Sequence, residues 1–309
     1  MCFQLYPDCK IVKGKMRDAV YDLTRNSIYI IPHKLSECIS DDNIVHFGKL
    51  PTDERQAFLN FLSDNELGRF NMPEEVLPIY DEFINPSRIS NAIIDIGKDN
   101  LPLQKISIEL SELVCESVFL RFIYKVPFEY ILASSKYFIS QSMSSIDIGI
   151  QYEDGVEEDI GSLIRDIPLC TRIIIVNSPF IKTDTSAYGI SIRYINKDYT
   201  CCDSHKYDFS VFSNANLGLY LESQKFNNCL NRKIAIDQYG NIKNCPGFAN
   251  TFGNVNDISL SEVVENHEFR KFWNKNIDVV EKCRDCELRY ACQHCVFDKN
   301  GCSYNVYND

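Results

Sequence analysis

Seven of the fourteen cysteines fall in the last quarter of this 309-residue chain, at Cys229, Cys245, Cys283, Cys286, Cys292, Cys295 and Cys302. The central four are spaced C-x2-C-x5-C-x2-C. Ahead of them Cys229 and Cys245 read C-x10-G-x4-C around Gly240, and Cys302 closes the series. Thiolates two or three residues apart on tight loops can converge on one soft metal centre. Core packing asks for no such regularity. Tetrahedral thiolate coordination suits structural zinc, and the same ligands hold iron–sulfur clusters. The five-residue gap is shorter than the usual spacing between two zinc knuckles, and seven thiolates divide badly into sites of four. Ligand softness leans towards iron–sulfur, with zinc as the alternative. His294, inside the Cys292–Cys295 loop, reads as a loop residue or as a partner to a ligand.

Several elements must position these thiols. KIAIDQYGNIKNC (233–245) predicts a hairpin turning at Tyr239-Gly240-Asn241. Ser259 and Glu262 have capping-box spacing, which predicts a helix from 260 to about 275. Its Val263, Phe269, Phe272 and Trp273 would pack the cysteine loops against the rest. Beyond 281 little regular structure is expected, since ligation there replaces a core.

Upstream, residues 89–200 alternate strand and helix patterns. The strand candidates are NAIIDI (91–96), FLRFIY (119–124), IDIGIQY (146–152), RIIIVN (172–177) and YGISIRYI (188–195). Helical candidates lie at 102–116, 127–143 and 157–168. Near-continuous apolar strands separated by helices argue for a parallel sheet covered by helices. Five strands fall short of a closed eight-stranded barrel, so the expected class is α/β with a partial (β/α) barrel. Residues 1–72 predict a small α+β domain. A hairpin over 17–31 turns at Thr24-Arg25-Asn26-Ser27. Thr52 then caps a helix with Asp53 and Glu54 in its first turn, and Phe58, Leu59, Phe61 and Leu62 form its apolar stripe. Gly68 sits just past its end, and Pro73, Pro78 and Pro86 mark a crossing segment.

The chain is 45 % hydrophobic and 24 % charged, as ordinary globular proteins are. Its net charge of −11 lacks the basic stripe of a nucleic-acid binder and disfavours anionic membranes. Polypeptide or cationic partners remain open. The opening MCFQLYPDCKIVKGK has too short an apolar stretch for a signal peptide, and charge arrives by Asp8. No run approaches the roughly 20 apolar residues of a membrane helix. A cytoplasmic protein is expected, where thiols stay reduced and the metal reading of the cysteines gains over disulfides.

The cysteine series resembles the SPASM domain, the C-terminal extension of many radical S-adenosylmethionine enzymes that modify peptides. The resemblance covers residues 229–309 and departs once: the usual form has three residues, not two, between the last pair of the central four. It implies two auxiliary [4Fe–4S] clusters. One would take Cys283, Cys286, Cys292 and Cys302, the other Cys229, Cys245 and Cys295. Some members supply a further cysteine near the place where Ala235 stands. The three-cysteine cluster would then have an open iron, or borrow Cys201 or Cys202. An open iron could bind a substrate thiolate, amide or carboxylate.

Radical S-adenosylmethionine enzymes also carry C-x3-C-x2-C after the first barrel strand. Here NAIIDI is followed by GKDNLPLQ, and the motif occurs nowhere in the chain. Cys2, Cys9, Cys38, Cys115 and Cys170 stand singly and read as small buried hydrophobes. The family's Gly-Gly-Glu-Pro after the second strand is replaced by Tyr124-Lys125-Val126-Pro127, which keeps only the proline. Cleavage of S-adenosylmethionine is therefore not expected. The combination resembles the SPASM-domain maturase of grasp-with-spasm systems, which operates beside an ATP-grasp ligase on ribosomally made peptides (RiPP biosynthesis). Residues 1–72 are similar, in their hairpin-then-helices order, to winged-helix leader-peptide recognition elements. That likeness implies a leader peptide adding a strand beside the hairpin, whereas a domain that merely caps the barrel is the plainer alternative. An active radical enzyme holding its cluster in another way, and a zinc-binding interaction module, are the competing functions.

Other features carry less. His33, His46, His205 and His267 lack a nucleophile at instructive spacing and read as core or surface residues. EDGVEED (153–159) reads as an acidic, solvated helix start. No P-loop signature is present, and no catalytic residue is assigned.

Overall fold

Short apolar-alternating runs at the start of the chain pair into two small sheets. The strands are β1 (Phe3–Leu5), β2 (Cys9–Val12), β3 (Asp18–Asp22), β4 (Ser27–Ile31), β5 (Ile44–Val45) and β6 (Gly68–Phe70). They form antiparallel sheets in the orders β5-β1-β6 and β2-β3-β4. The computed structural model describes residues 2–71, 82–98, 100–140, 142–199, 215–281 and 283–292. Pro73, Pro78, Cys201, Cys202, His205, His294, Cys295 and Cys302 lie outside the described residues.

The expected hairpin is β3–β4, in register from Asp18↔Ile31 to Asp22↔Ser27. Its turn places Asn26 at φ 54, a conformation asparagine tolerates better than most side chains. A four-residue helix, α1 (His33–Ser36), follows, and then α2 (Thr52–Asp64). Thr52 is the first helical residue rather than the cap. Pro51 takes the cap position and offers no side-chain hydrogen bond. Asp53 and Glu54 occupy the first turn, where the dipole favours them. Phe58 and Leu62 are buried with Phe3, Leu5 and Val20, while Leu59 and Phe61 pack at the edge of that cluster. At Gly68 a Cβ would run into the Gln4 carbonyl, so the start of β6 requires glycine against β1.

A second fold begins at β7 (Asn91–Ile96), whose bounds are those of the NAIIDI run. It continues through α3 (Leu103–Glu112), β8 (Ser117–Phe122), α4 (Phe128–Lys136), β9 (Ser145–Gln151), α5 (Val156–Asp166) and β10 (Cys170–Val176). The last candidate strand shrinks to β12 (Ser191–Tyr194), because Gly189 turns the chain at φ 77. Before it an unanticipated β11 (Lys182–Thr185) pairs antiparallel with β12. Helix α6 (Leu217–Lys225) follows, then β13 (Lys233–Ile236) and β14 (Ile242–Lys243), a hairpin turning at Gly240 with φ 83. That hairpin is not confined to the cysteine region: β13 pairs in parallel with β7. The result is an eight-stranded sheet in the order β11-β12-β10-β9-β8-β7-β13-β14, parallel except at its two edge hairpins.

One face of this sheet is apolar. Ile94, Leu120 and Ile148 pack there against Ile106 and Leu110 of α3 and Leu163 of α5. The expected single helix over 260–275 is two, α7 (Leu260–Glu265) and α8 (His267–Arg270). Asn266 breaks it with extended backbone (φ −67, ψ 123), its side chain accepting the Glu268 N–H. The capping box at Ser259 and Glu262 is present.

The chain divides into two units. The first gathers the described parts of Met1–Ile84, His205–Cys229 and Asn274–Asp309, the second those of Asn85–Ser204 and Leu230–Trp273. Residues 229–309 are thereby shared between them. Among the described residues no helix is long and apolar enough to cross a membrane.

Candidate metal centre

Tight successive turns build the cysteine loop of the first unit. After a 3₁₀ turn at Ile277–Val279, the Cys283 N–H donates to the Val280 carbonyl (2.8 Å) and the Cys286 N–H to that of Cys283 (2.9 Å). The Arg289 N–H then donates to the Cys286 carbonyl (3.2 Å). Winding of this kind is what two intervening residues permit, and it leaves the chain short of helix. The Leu288 N–H donates to the Cys286 Sγ at 3.4 Å. An amide aimed at sulfur favours a thiolate there and is one of the levers that set cluster potentials. Asn228 fixes the far end of the loop, its Nδ2 donating to the Cys292 carbonyl (3.1 Å). The Cys229 N–H donates to the Asn227 side chain (3.0 Å), and Asn227 in turn holds the Lys275 carbonyl (3.0 Å).

The N-terminal strands supply the wall behind this loop. Tyr21 on β3 is fully buried, and its hydroxyl donates to the Glu287 carbonyl at 2.9 Å. Burial pushes its pKa well up, and the nearby sulfurs of Cys286 and Cys292 push it further. Tyr21, Tyr220 and Tyr290 form a chain of rings at 5.9 and 5.5 Å. Ala291 completes a small apolar cluster with Val12, Ala19 and Leu23. The Tyr290 hydroxyl donates to the Asp278 carboxylate (3.1 Å), to which the Arg289 Nε also donates (3.0 Å).

Cys283, Cys286, Cys292 and Cys229 are partly exposed and belong to the first unit. Cys245 is buried and belongs to the second. There its loop is fixed by Asn244, whose Nδ2 donates to the Phe269 carbonyl (2.8 Å), and by Phe248 against Phe272 at 5.5 Å. Ala235 is buried on β13, opposite Lys243. Among the described residues no three His, Cys, Asp or Glu side chains are gathered as a metal site. The expected ligands Cys295 and Cys302 lie outside the described residues. The residues present fit a soft centre. Cys283 and Cys286 are wound into successive turns on the spacing that thiolate ligation needs, with an amide donor at the Cys286 sulfur.

The scattered cysteines behave differently. Cys9, Cys38, Cys115 and Cys170 are buried, and burial pushes all four thiols up, Cys115 and Cys170 to about 12. Such thiols are inert. Cys2 is exposed, contrary to the expectation of burial.

The other face of the large sheet holds residues that strand-finding passed over. Arg121 grips Asp95 with two bonds (2.6 and 2.8 Å), and Arg172 reaches Asp147 at 2.5 Å. The Tyr199 ring lies under Arg121 at 5.3 Å and covers Gly149, where a Cβ would overlap its hydroxyl. All four charged residues sit inside the apolar runs NAIIDI, FLRFIY, IDIGIQY and RIIIVN. A charge interrupting a β-branched run was the available signal. In the loop after β8, Pro127 caps α4, and the Tyr124 ring faces Lys98 of the loop after β7 at 5.0 Å.

Residues 228–287 match the family model of SPASM, an iron–sulfur cluster-binding domain. The matched stretch contains Cys229, Cys245, Cys283 and Cys286, and supports kinship with the SPASM and radical S-adenosylmethionine superfamily. No curated protein matches the chain.

Proposed function

We propose that this protein matures a ribosomally made peptide: it binds the precursor's leader segment, carries iron–sulfur clusters in its cysteine module, and works beside an ATP-grasp ligase. The SPASM match carries the reading. In it Cys283, Cys286, Cys292 and Cys302 hold one [4Fe–4S] cluster, and Cys229, Cys245 and Cys295 hold a second with an open iron. When bound, such clusters supply electron transfer and, at an open iron, coordination of a substrate heteroatom. The chain's own residues wind the loop and donate to the Cys286 sulfur, and Tyr21 holds the Glu287 carbonyl beside it.

Leader binding is supported by the edge of the β2-β3-β4 sheet. Among the described residues β4 has β3 as its one strand partner, leaving main-chain groups for an added strand. Beside it runs a groove of about 550 Å³ lined by Ile30, Ile31, Leu35, Phe58 and Phe61. The Lys34–Glu54 ion pair (2.8 Å) stands at its rim. In this reading the domain is winged-helix-like and the parallel sheet is a degenerate barrel. The absent C-x3-C-x2-C and the replacement of Gly-Gly-Glu-Pro by Tyr124-Lys125-Val126-Pro127 both favour a chain that does not cleave S-adenosylmethionine.

The first experiment measures iron, acid-labile sulfide and zinc on anaerobically purified protein, then captures the precursor and ligase encoded beside it. Iron and sulfide near eight per chain, with both partners retained, is the expected result. Zinc without sulfide, or retention of neither partner, would overturn the reading. Formation of 5′-deoxyadenosine from S-adenosylmethionine by the reduced protein would replace it with a radical enzyme.

A further inference from the structure

Two buried carboxylates join the groove to the cysteine loop, and both are fully shielded from solvent. The first is Asp18, at the start of β3. It accepts from the Gly14 N–H (2.9 Å), Lys13 Nζ (3.2 Å), His33 Nδ1 (3.0 Å) and the Ser36 hydroxyl. His33 and Ser36 are the two ends of α1, which also carries the groove residues Lys34 and Leu35. The second is Glu287, next to Cys286. It accepts from Arg17 Nε at 2.7 Å, while its carbonyl accepts from Tyr21.

Between the carboxylates lies the turn at residues 13–17, and it touches the cysteine loop with its backbone. The Lys15 N–H donates to the Asp285 carbonyl (2.8 Å), and Arg289 donates to the Lys13 carbonyl (2.6 Å). At Gly14 a Cβ would stand 2.9 Å from the Glu287 nitrogen, so the two segments meet more closely than any other residue allows. The turn is thus pinned to α1 through Asp18 and to the cysteine loop through Glu287. The loop itself has turns but no helix or strand between Cys283 and Cys292.

We propose that this Asp18–Glu287 connection couples cluster occupancy to peptide binding in the groove, an inference that rests on the reading given above. Filling the thiolates orders the cysteine loop, the loop holds the 13–17 turn, and the turn fixes α1 at the groove wall. A peptide then meets a wall already ordered, and binding that shares an ordering cost is cooperative. Reciprocity requires the bound peptide to retain the cluster equally well.

The test has two arms. In the first, hydrogen–deuterium exchange compares cluster-loaded protein with protein stripped by chelation under reductant. Slower exchange at residues 28–36 in the loaded form is expected, with residues 3–5 and 68–70 equally protected in both as the check on folding. In the second, a fluorescein-labelled leader peptide from the neighbouring precursor is titrated into both forms, with at least about fivefold tighter binding expected when loaded. An Arg17→Met/Glu287→Met double variant should keep its iron and lose both differences. Groove exchange that ignores loading overturns the coupling whatever the peptide does. A peptide that binds neither form, with the exchange difference intact, overturns the peptide reading, and with it the coupling to peptide, while the link from cysteine loop to groove wall stands.

Discussion

Cys286 accepts an amide hydrogen at sulfur and is followed by a buried acid. Cys115 is buried with its thiol pushed up to about 12. The two predict opposite outcomes. Cys286→Ala should lower bound iron and sulfide by about half, whereas Cys115→Ser should leave both unchanged, as read by metal and sulfide analysis. The Asp18 cluster predicts a pH dependence. Burial alone would raise the Asp18 pKa, but hydrogen bonds from Ser36, Gly14, His33 and Lys13 outweigh it and hold the carboxyl low. A depressed acid stabilises the fold above its unfolded pKa and loses that contribution as pH falls through the folded one. The hydrogen bond from His33 to Asp18, the larger cause, raises the His33 pKa above 6.5. Its stabilisation is complete below that value and is lost as pH rises through the folded pKa. The Tm difference between wild type and His33→Gln should therefore be largest near about pH 5.5 and shrink towards about pH 8.5. A difference that grows with pH would contradict the pairing. On the large sheet, Arg121→Met should cost about 1.5–3 kcal/mol in denaturant unfolding, because the partly buried Asp95 carboxylate loses both hydrogen bonds from the guanidinium.

Elements differ in how far their own residues specify them. Ser259→Ala removes one half of a capping box and should lower unfolding free energy by about 1 kcal/mol, measured as a lower denaturant midpoint. Ile30→Glu, on the exposed edge of the groove, should weaken leader binding by about tenfold or more while moving Tm little. The capping box, the Gly240 turn, β7 and the acidic start of α5 were all readable, because each is set by side chains acting within a few residues. β1, β5 and β6 were not: strands of two or three residues show no period and exist through pairing partners about forty to seventy positions away. The break at Asn266 and the joining of β13 to β7 were equally hidden, since tertiary contacts decide both. The seven cysteines were legible by type and spacing. Glu287 and Asp18, which lie around them or behind them, offered no local signal at all.

At the scale of the molecule, apolar strands and their spacing gave the α/β class and the parallel core, while the edges were settled by hairpins. Those hairpins end the large sheet in antiparallel pairs, and the outer one carries Lys182 and Asp184 on a wholly exposed strand. Charged edges of that kind resist sheet-to-sheet association.

Arg17 and Glu287 meet across 270 positions of sequence. At about 5–20 residues per second on the ribosome, tens of seconds separate the emergence of the two. Through that interval Val12, Ala19 and Tyr21 have no Ala291 to cover them. Newborn chains should therefore expose an apolar patch beside β3 until Ala291 has emerged. Holdase chaperones have a defined window in which to bind.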